Sequence, residues 1–199
     1  GKSFTIKILT LRSAIMGIRT GIIDPDRKCE YENLVRALNG SYIKLDSTSK
    51  HHINMFDVNI AEDENGQITV ELEQSINAVQ AIIFKMLNSI DTKLLEDGPT
   101  VILIREKIRQ LYANFRITDD PESLFEARKT GEKFVLGERC LKKMPTLSDF
   151  HDIIENEPRL KKVAAVMKVF TKKGNDPVMS IFDCETNVDI KNDVVFAFS

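Results

Sequence analysis

Several features that would assign a chain quickly are scarce in these 199 residues. There are three cysteines, Cys29, Cys140 and Cys184, far apart, odd in number and in no CxxC pair. That spacing argues against a disulfide framework and against a cysteine zinc site, and it fits a reducing cytoplasm. No stretch approaches the roughly eighteen uninterrupted apolar residues of a spanning helix, so any membrane contact is expected to be peripheral. Neither charge is in excess: 28 Lys and Arg stand against 30 Asp and Glu, a net charge of −2. A protein that grips DNA with its whole surface carries a basic excess, so DNA contact is confined to a local patch or to another part of the protein. Fixed-period repeats and low-complexity segments are missing as well. What is present is an ordinary globular composition, 42% hydrophobic and 29% charged, in a chain long enough to bury a core without staples.

The apolar pattern changes along the chain. Phe4, Ile8, Leu11, Ile15 and Ile18 recur at spacings of three and four, which predicts a helix with a core-facing stripe, closed by Gly17 and Gly21. "TGIID" reads as a short buried strand ending at Asp24, where Pro25 forbids simple continuation. "CEYENLVRALNG" predicts a second helix stopped by Gly40, and "SYIKLD" a second strand. Helix, strand, helix, strand at this spacing points to a parallel α/β sheet. Asn65-Gly66 marks a tight turn.

From about Glu73 the period becomes helical throughout. Ile76, Val79, Ile83 and Met86 share one face, as do Val101, Ile104, Ile108, Leu111 and Phe115. Thr146 and Asp149 have capping-box spacing, and a further helix is expected from Pro158 to Gly174. β character returns in "NVDI" and "VVFAFS", which flank a polar turn at Lys191-Asn192-Asp193. The expected organisation is residues 1–72 as the N-terminal part of an α/β core, 73–174 as an all-helical insertion, and 175–199 as a return to the core sheet.

The candidate chemistry begins at Gly1, Lys2 and Ser3. In a phosphate loop, GxxxxGK[ST], glycines let backbone N–H groups curl around phosphate oxygens, lysine reaches the terminal phosphates, and the hydroxyl binds Mg2+. The following helix adds its positive end. A GK[ST] triplet arises by chance in roughly one chain in ten of this length, so its position ahead of an amphipathic helix is what supports the reading. Such a loop needs a buried strand before it, and the chain is therefore expected to be a piece of a longer protein. No run of four apolar residues followed by Asp-Glu occurs; that second acidic strand is expected downstream.

Asp24, with Asp26 and Glu30 nearby, is the next candidate, because the C-terminal end of a parallel strand beside a phosphate loop faces the ligand crevice. A carboxylate there can touch Mg2+ or orient water; equally, Asp24-Pro25-Asp26 is a favourable turn. His51 and His52 have no carboxylate or cysteine at ligand spacing and read as a solvated loop, while His151 falls on the capped helix. The basic "KVFTKKG" segment reads as a helix C-terminus matched to its dipole.

Several of these segments, in order, resemble the large traffic ATPase of type IV secretion and conjugative DNA-transfer systems. They are "GKSFTIKILTLRSAIMGIR", "IIDPDRKCEYENLVRALNGSYIKL", "INMFDVN", "KKMPTLSDFHDII" and "TNVDIKNDVVFAF", and together they cover nearly the whole chain. The resemblance implies a RecA-like P-loop NTPase core, a parallel sheet with an all-helical insertion. It implies that Gly1, Lys2, Ser3 and Phe4 bind ATP, that Ser3 holds Mg2+, and that Lys2, Asp24 and Asp26 serve catalysis. It further implies a hexamer that meets other secretion components at the cytoplasmic face of the inner membrane. Asp26 stands where the family usually has Glu, an insertion separates it from Glu30-Tyr31, and Met55 replaces the usual Pro; whether Asp26 or Glu30 takes the acidic position stays open. Two alternatives differ in class: a DNA-translocating or coupling P-loop ATPase, and a docking module built on the helical stretch.

Overall fold

The computed structural model describes residues 2–24, 28–46, 48–62, 68–126, 141–188, 190 and 193–199. In chain order its regular elements are α1 (Lys2–Ile15), β1 (Thr20–Ile23), α2 (Glu32–Ala37), β2 (Ser41–Ile43), β3 (Ile60–Glu62), β4 (Ile68–Val70), α3 (Leu72–Ile90), α4 (Gly98–Asn114), α5 (Leu147–Glu155), α6 (Lys161–Met167) and β5 (Val195–Phe198), joined in places by short 3-10 turns. They form two compact units, residues 1–53 with 186–199, and residues 54–185.

The first unit is a three-stranded, all-parallel sheet in the order β1-β5-β2. Its middle strand comes from the far end of the chain. Val195 and Ala197 on β5 are fully buried and gather Ile22, Tyr31, Val35 and Tyr42 into a small core. Two glycines are needed here. Gly17 takes φ +72°, which lets Ile18 N–H turn back to Ser13 O at 2.8 Å and ends α1. Gly40 enters β2 so close to β5 that a Cβ would lie 2.0 Å from the Val195 carbonyl oxygen.

Four expectations for this unit are corrected. Gly21 does not close α1; it lies within β1, where a Cβ would press on the Phe196 ring. β1 is buried only at Ile22; Ile23, whose side chain points to the opposite face of the sheet, is 83% exposed. The apolar stripe of α1 is not core: Phe4, Leu11, Ile15 and Ile18 are exposed, whereas Thr10 is buried and Ala14 packs on the small core. The face turned to the sheet is thus the one carrying Lys7, Thr10 and Ala14. Of the two C-terminal segments expected as strands, "VVFAFS" supplies β5, but the described residues of "NVDI" are irregular. Asn187 instead ties that segment to the histidine loop, donating through Nδ2 to Lys50 O and accepting from His52 N–H. Lys191 and Asn192 lie outside the described residues.

In the second unit β3 and β4 pair antiparallel; Asn65-Gly66 lies outside the described residues. α3 to α6 pack around one core in which the expected faces of α3 and α4 are buried, Ile76, Val79, Ile83 and Met86 on α3 and Ile104, Ile108 and Leu111 on α4. Phe56, fully buried, meets the Tyr112 and Phe150 rings at 6.3 and 6.1 Å, and Tyr112 Oη donates to Phe56 O at 3.0 Å. The Thr146–Asp149 capping box is formed at the start of α5. The helix expected over 158–174 is split: a 3-10 turn precedes α6 and two follow it, before Asn175 takes the left-handed region at φ +59°.

Buried Asp183 holds two of these segments together. Its carboxylate accepts from Ser148 N–H and Oγ–H at 2.9 and 2.6 Å, and from Lys172 N–H at 2.8 Å. The compact units divide after Ile53 and after Glu185 rather than at 72/73 and 174/175. The shift has a packing cause, since Phe56 and Val70 belong to the helical core and Phe182 packs against it.

Candidate functional site

In a parallel sheet all strands end on the same edge, and a helix that returns antiparallel to its strand starts there. α1 precedes β1 through the short turn at Gly17, so that edge is where the opening turn of α1 and the residue after β1 are directed. Lys2 opens α1, Ser3 is half-buried in its first turn, and Phe4 is 65% exposed. The first turn carries no acidic side chain. Gly1 and Asp26 lie outside the described residues.

Asp24 is held by the sheet at the end of β1. It is 2% exposed. Its N–H donates to Phe198 O at 2.7 Å, continuing the β1–β5 ladder, and its Oδ2 accepts from Tyr42 Oη at 2.9 Å. Burial pushes the Tyr42 hydroxyl well above its ordinary range, with Cys29 and Asp24 adding to the rise and Ser199 opposing it. Tyr42 therefore stays a proton donor, and the carboxylate it faces keeps a fixed orientation.

Cationic groups line the neighbouring surface. Lys7 Nζ sits 5.6 Å from the Tyr31 ring centre and Lys44 Nζ 5.8 Å from that of Tyr42. Lys44 also pairs with Glu32 at 3.3 Å, and Arg36 with Glu32 at 2.9 Å; Arg36 first, then Lys44, holds the Glu32 carboxyl below its usual range. Glu30 is half-buried near the start of α2. Between α1 and β1 lies a cavity of about 360 Å³ bordered by Ile6, Leu9, Thr10, Ser13, Ile22 and Tyr31. Its walls are mostly apolar, unlike the charged strand ends.

The structure thus describes Ser3, Phe4 and Asp24 in one α/β unit, the first two opening α1 and the third at the end of β1. Sequence reasoning missed Tyr42, the partner that orients Asp24. Its signal was a hydroxyl-bearing aromatic in the middle of "SYIKLD", a position that faces the core of a parallel sheet.

Neither a protein-family model nor a curated protein matches the chain. Among solved structures, its fold matches that of VirB4 of Thermoanaerobacter pseudethanolicus, with a TM-score of 0.68 and 21% sequence identity. The match takes in all of this chain and 46% of that one, so the chain spans about half the length of the protein it is similar to. At that identity the likeness carries the fold: a small parallel sheet with helices. No described helix is long and apolar enough to cross a membrane.

Proposed function

We propose that this chain is part of an ATP-binding and ATP-hydrolysing motor subunit of a type IV secretion or conjugation system, one that powers substrate transfer or pilus assembly. The observation that carries the reading is a fold likeness to VirB4 over the whole chain, combined with a Gly-Lys-Ser triplet opening the helix that leads into the parallel sheet. Residues 1–53 and 186–199 would belong to a RecA-like core and 54–185 to its helical insertion.

In this proposal Gly1, Lys2, Ser3 and Phe4 hold the nucleotide phosphates at the start of α1. Lys2 neutralises charge that develops on the transferred phosphoryl group, and Ser3 takes Mg2+. Asp24, kept in one orientation by Tyr42 and by the β1–β5 ladder, supplies a carboxylate for the metal's water shell or for the attacking water, with Asp26 as the second acidic group. ATP and Mg2+ supply the phosphoryl chemistry; the chain positions and neutralises it. The subunit would act as a hexamer against other secretion components at the inner face of the cell membrane. In the gene product that carries this segment, Lys2→Ala is expected to reduce ATP turnover by at least about a hundredfold; unchanged turnover would refute the proposal.

A second reading rests on the helical unit, whose separate core spans residues 54–185: it would serve chiefly to dock secretion components, with nucleotide only fixing its shape. DNA-stimulated turnover would instead favour a translocating or coupling ATPase.

A further inference from the structure

Helix α5 carries a second group of ligand-type side chains, remote in sequence from the phosphate-binding residues. His151 is 2% exposed, and among the described residues its Nδ1 is the buried side-chain nitrogen or oxygen with no hydrogen-bond partner. The contrast with its neighbours is sharp. Asn54 donates to Pro145 O, Thr171 to Lys168 O, and Asp183 accepts three bonds. A buried imidazole nitrogen left open is uncommon and calls for an explanation.

That nitrogen points towards carboxylates. Asp152 Oδ1 lies 3.6 Å from Nδ1, beyond hydrogen-bond range. One ligand atom each from His151, Asp152 and Glu155 lie within 4.8 Å of one another. His151 and Glu155 are four residues apart on one helix, hence on one face. An ion bound about 2.0–2.2 Å from each donor needs donors some 3–4 Å apart, and Asp152 and Glu155, both exposed, can close that gap by side-chain rotation. A cation is already drawn to the place, because Lys173 Nζ pairs with Asp152 Oδ1.

We propose that His151 Nδ1, Asp152 and Glu155 form a site for a divalent transition metal of the Zn2+ type, with Lys173 as a built-in competitor whose ammonium leaves Asp152 when the ion enters. The nitrogen donor selects Zn2+ and its late first-row relatives over Mg2+ and Ca2+, which prefer all-oxygen shells. The imidazole would ligate in its neutral form with the proton on Nε2. Three protein donors leave a coordination position for water or for a group from a partner. This site is independent of the nucleotide reading and stands or falls without it.

The test is a calorimetric titration of the 199-residue chain with Zn2+ alone, in a His51→Gln/His52→Gln background that removes the adjacent histidine pair of the other unit. One ion per chain is expected. Glu155→Gln should weaken binding by at least about tenfold, the lower end of what loss of even an indirect metal-site partner costs. Lys173→Met should tighten it, and Zn2+ should shift the His151 imidazole resonances. Absence of Zn2+ binding, or binding that neither Glu155→Gln nor Lys173→Met alters, overturns the proposal. These two variants change exposed side chains, so the test does not depend on whether His151→Gln folds.

Discussion

In residues 54–185 the apolar faces of α3, α4, α5 and α6 find one another, and among the described residues twenty-one hydrophobic side chains are buried in one cluster. In the parallel-sheet unit the buried cluster holds six, while Phe4, Leu9, Leu11, Ile15, Met16, Ile18 and Ile23 stay between 41% and 83% exposed. Both regions have apolar residues at helical spacing. They differ in whether another element lies against that spacing, and only where one does is water removed and free energy gained. Helical periodicity therefore reports a face that can be buried, not one that is.

Substitutions in the two units should differ in cost accordingly. Phe56→Ala should cost the most, about 3–5 kcal/mol, because the residue is fully buried between two other rings. It should show as lost hydrogen-exchange protection in α3 and α4; a cost below about 1 kcal/mol would mean the helical core is looser than its burial implies. Gly40→Ala probes the smaller unit at its tightest point. Overlap with the Val195 carbonyl should cost about 3 kcal/mol and strip protection from β2 and β5. Tyr112→Phe removes one buried bond to Phe56 O and should cost about 1 kcal/mol in a denaturant melt. Ile15→Ser should be nearly silent, within about 0.5 kcal/mol, since Ile15 is 76% exposed. A loss of core size there would show that the α1 stripe is covered after all.

What could be read in advance follows the same division. The faces of α3 and α4 and the Thr146–Asp149 box were legible because each depends on residues three or four apart and on a core built from neighbouring helices. The parallel sheet was legible as an architecture, but not the insertion of β5 between β1 and β2, which depends on a pairing across the whole chain. Gly21 was misread because glycine ends helices and also makes room beside an aromatic ring, and only the Phe196 contact decides between them. Asp24 was found as a strand-end carboxylate, whereas its Tyr42 partner required knowing which strands lie side by side. His151, Asp152 and Glu155 sit within five residues of one another; their significance came from burial, which spacing does not encode.

The place of β5 bears on the order of assembly. The backbone of Ser41 is bonded to Asp193, 152 positions away, and β1 and β2 touch through β5 rather than each other. During synthesis β1 and β2 emerge before β5 and wait with an empty slot between them. The helical unit, rich in local contacts, is positioned to collapse first. The entropic penalty for inserting β5 between β1 and β2 is then set by a loop that has already condensed, so the rate at which these three strands come together should follow the stability of a region that contributes no residue to them.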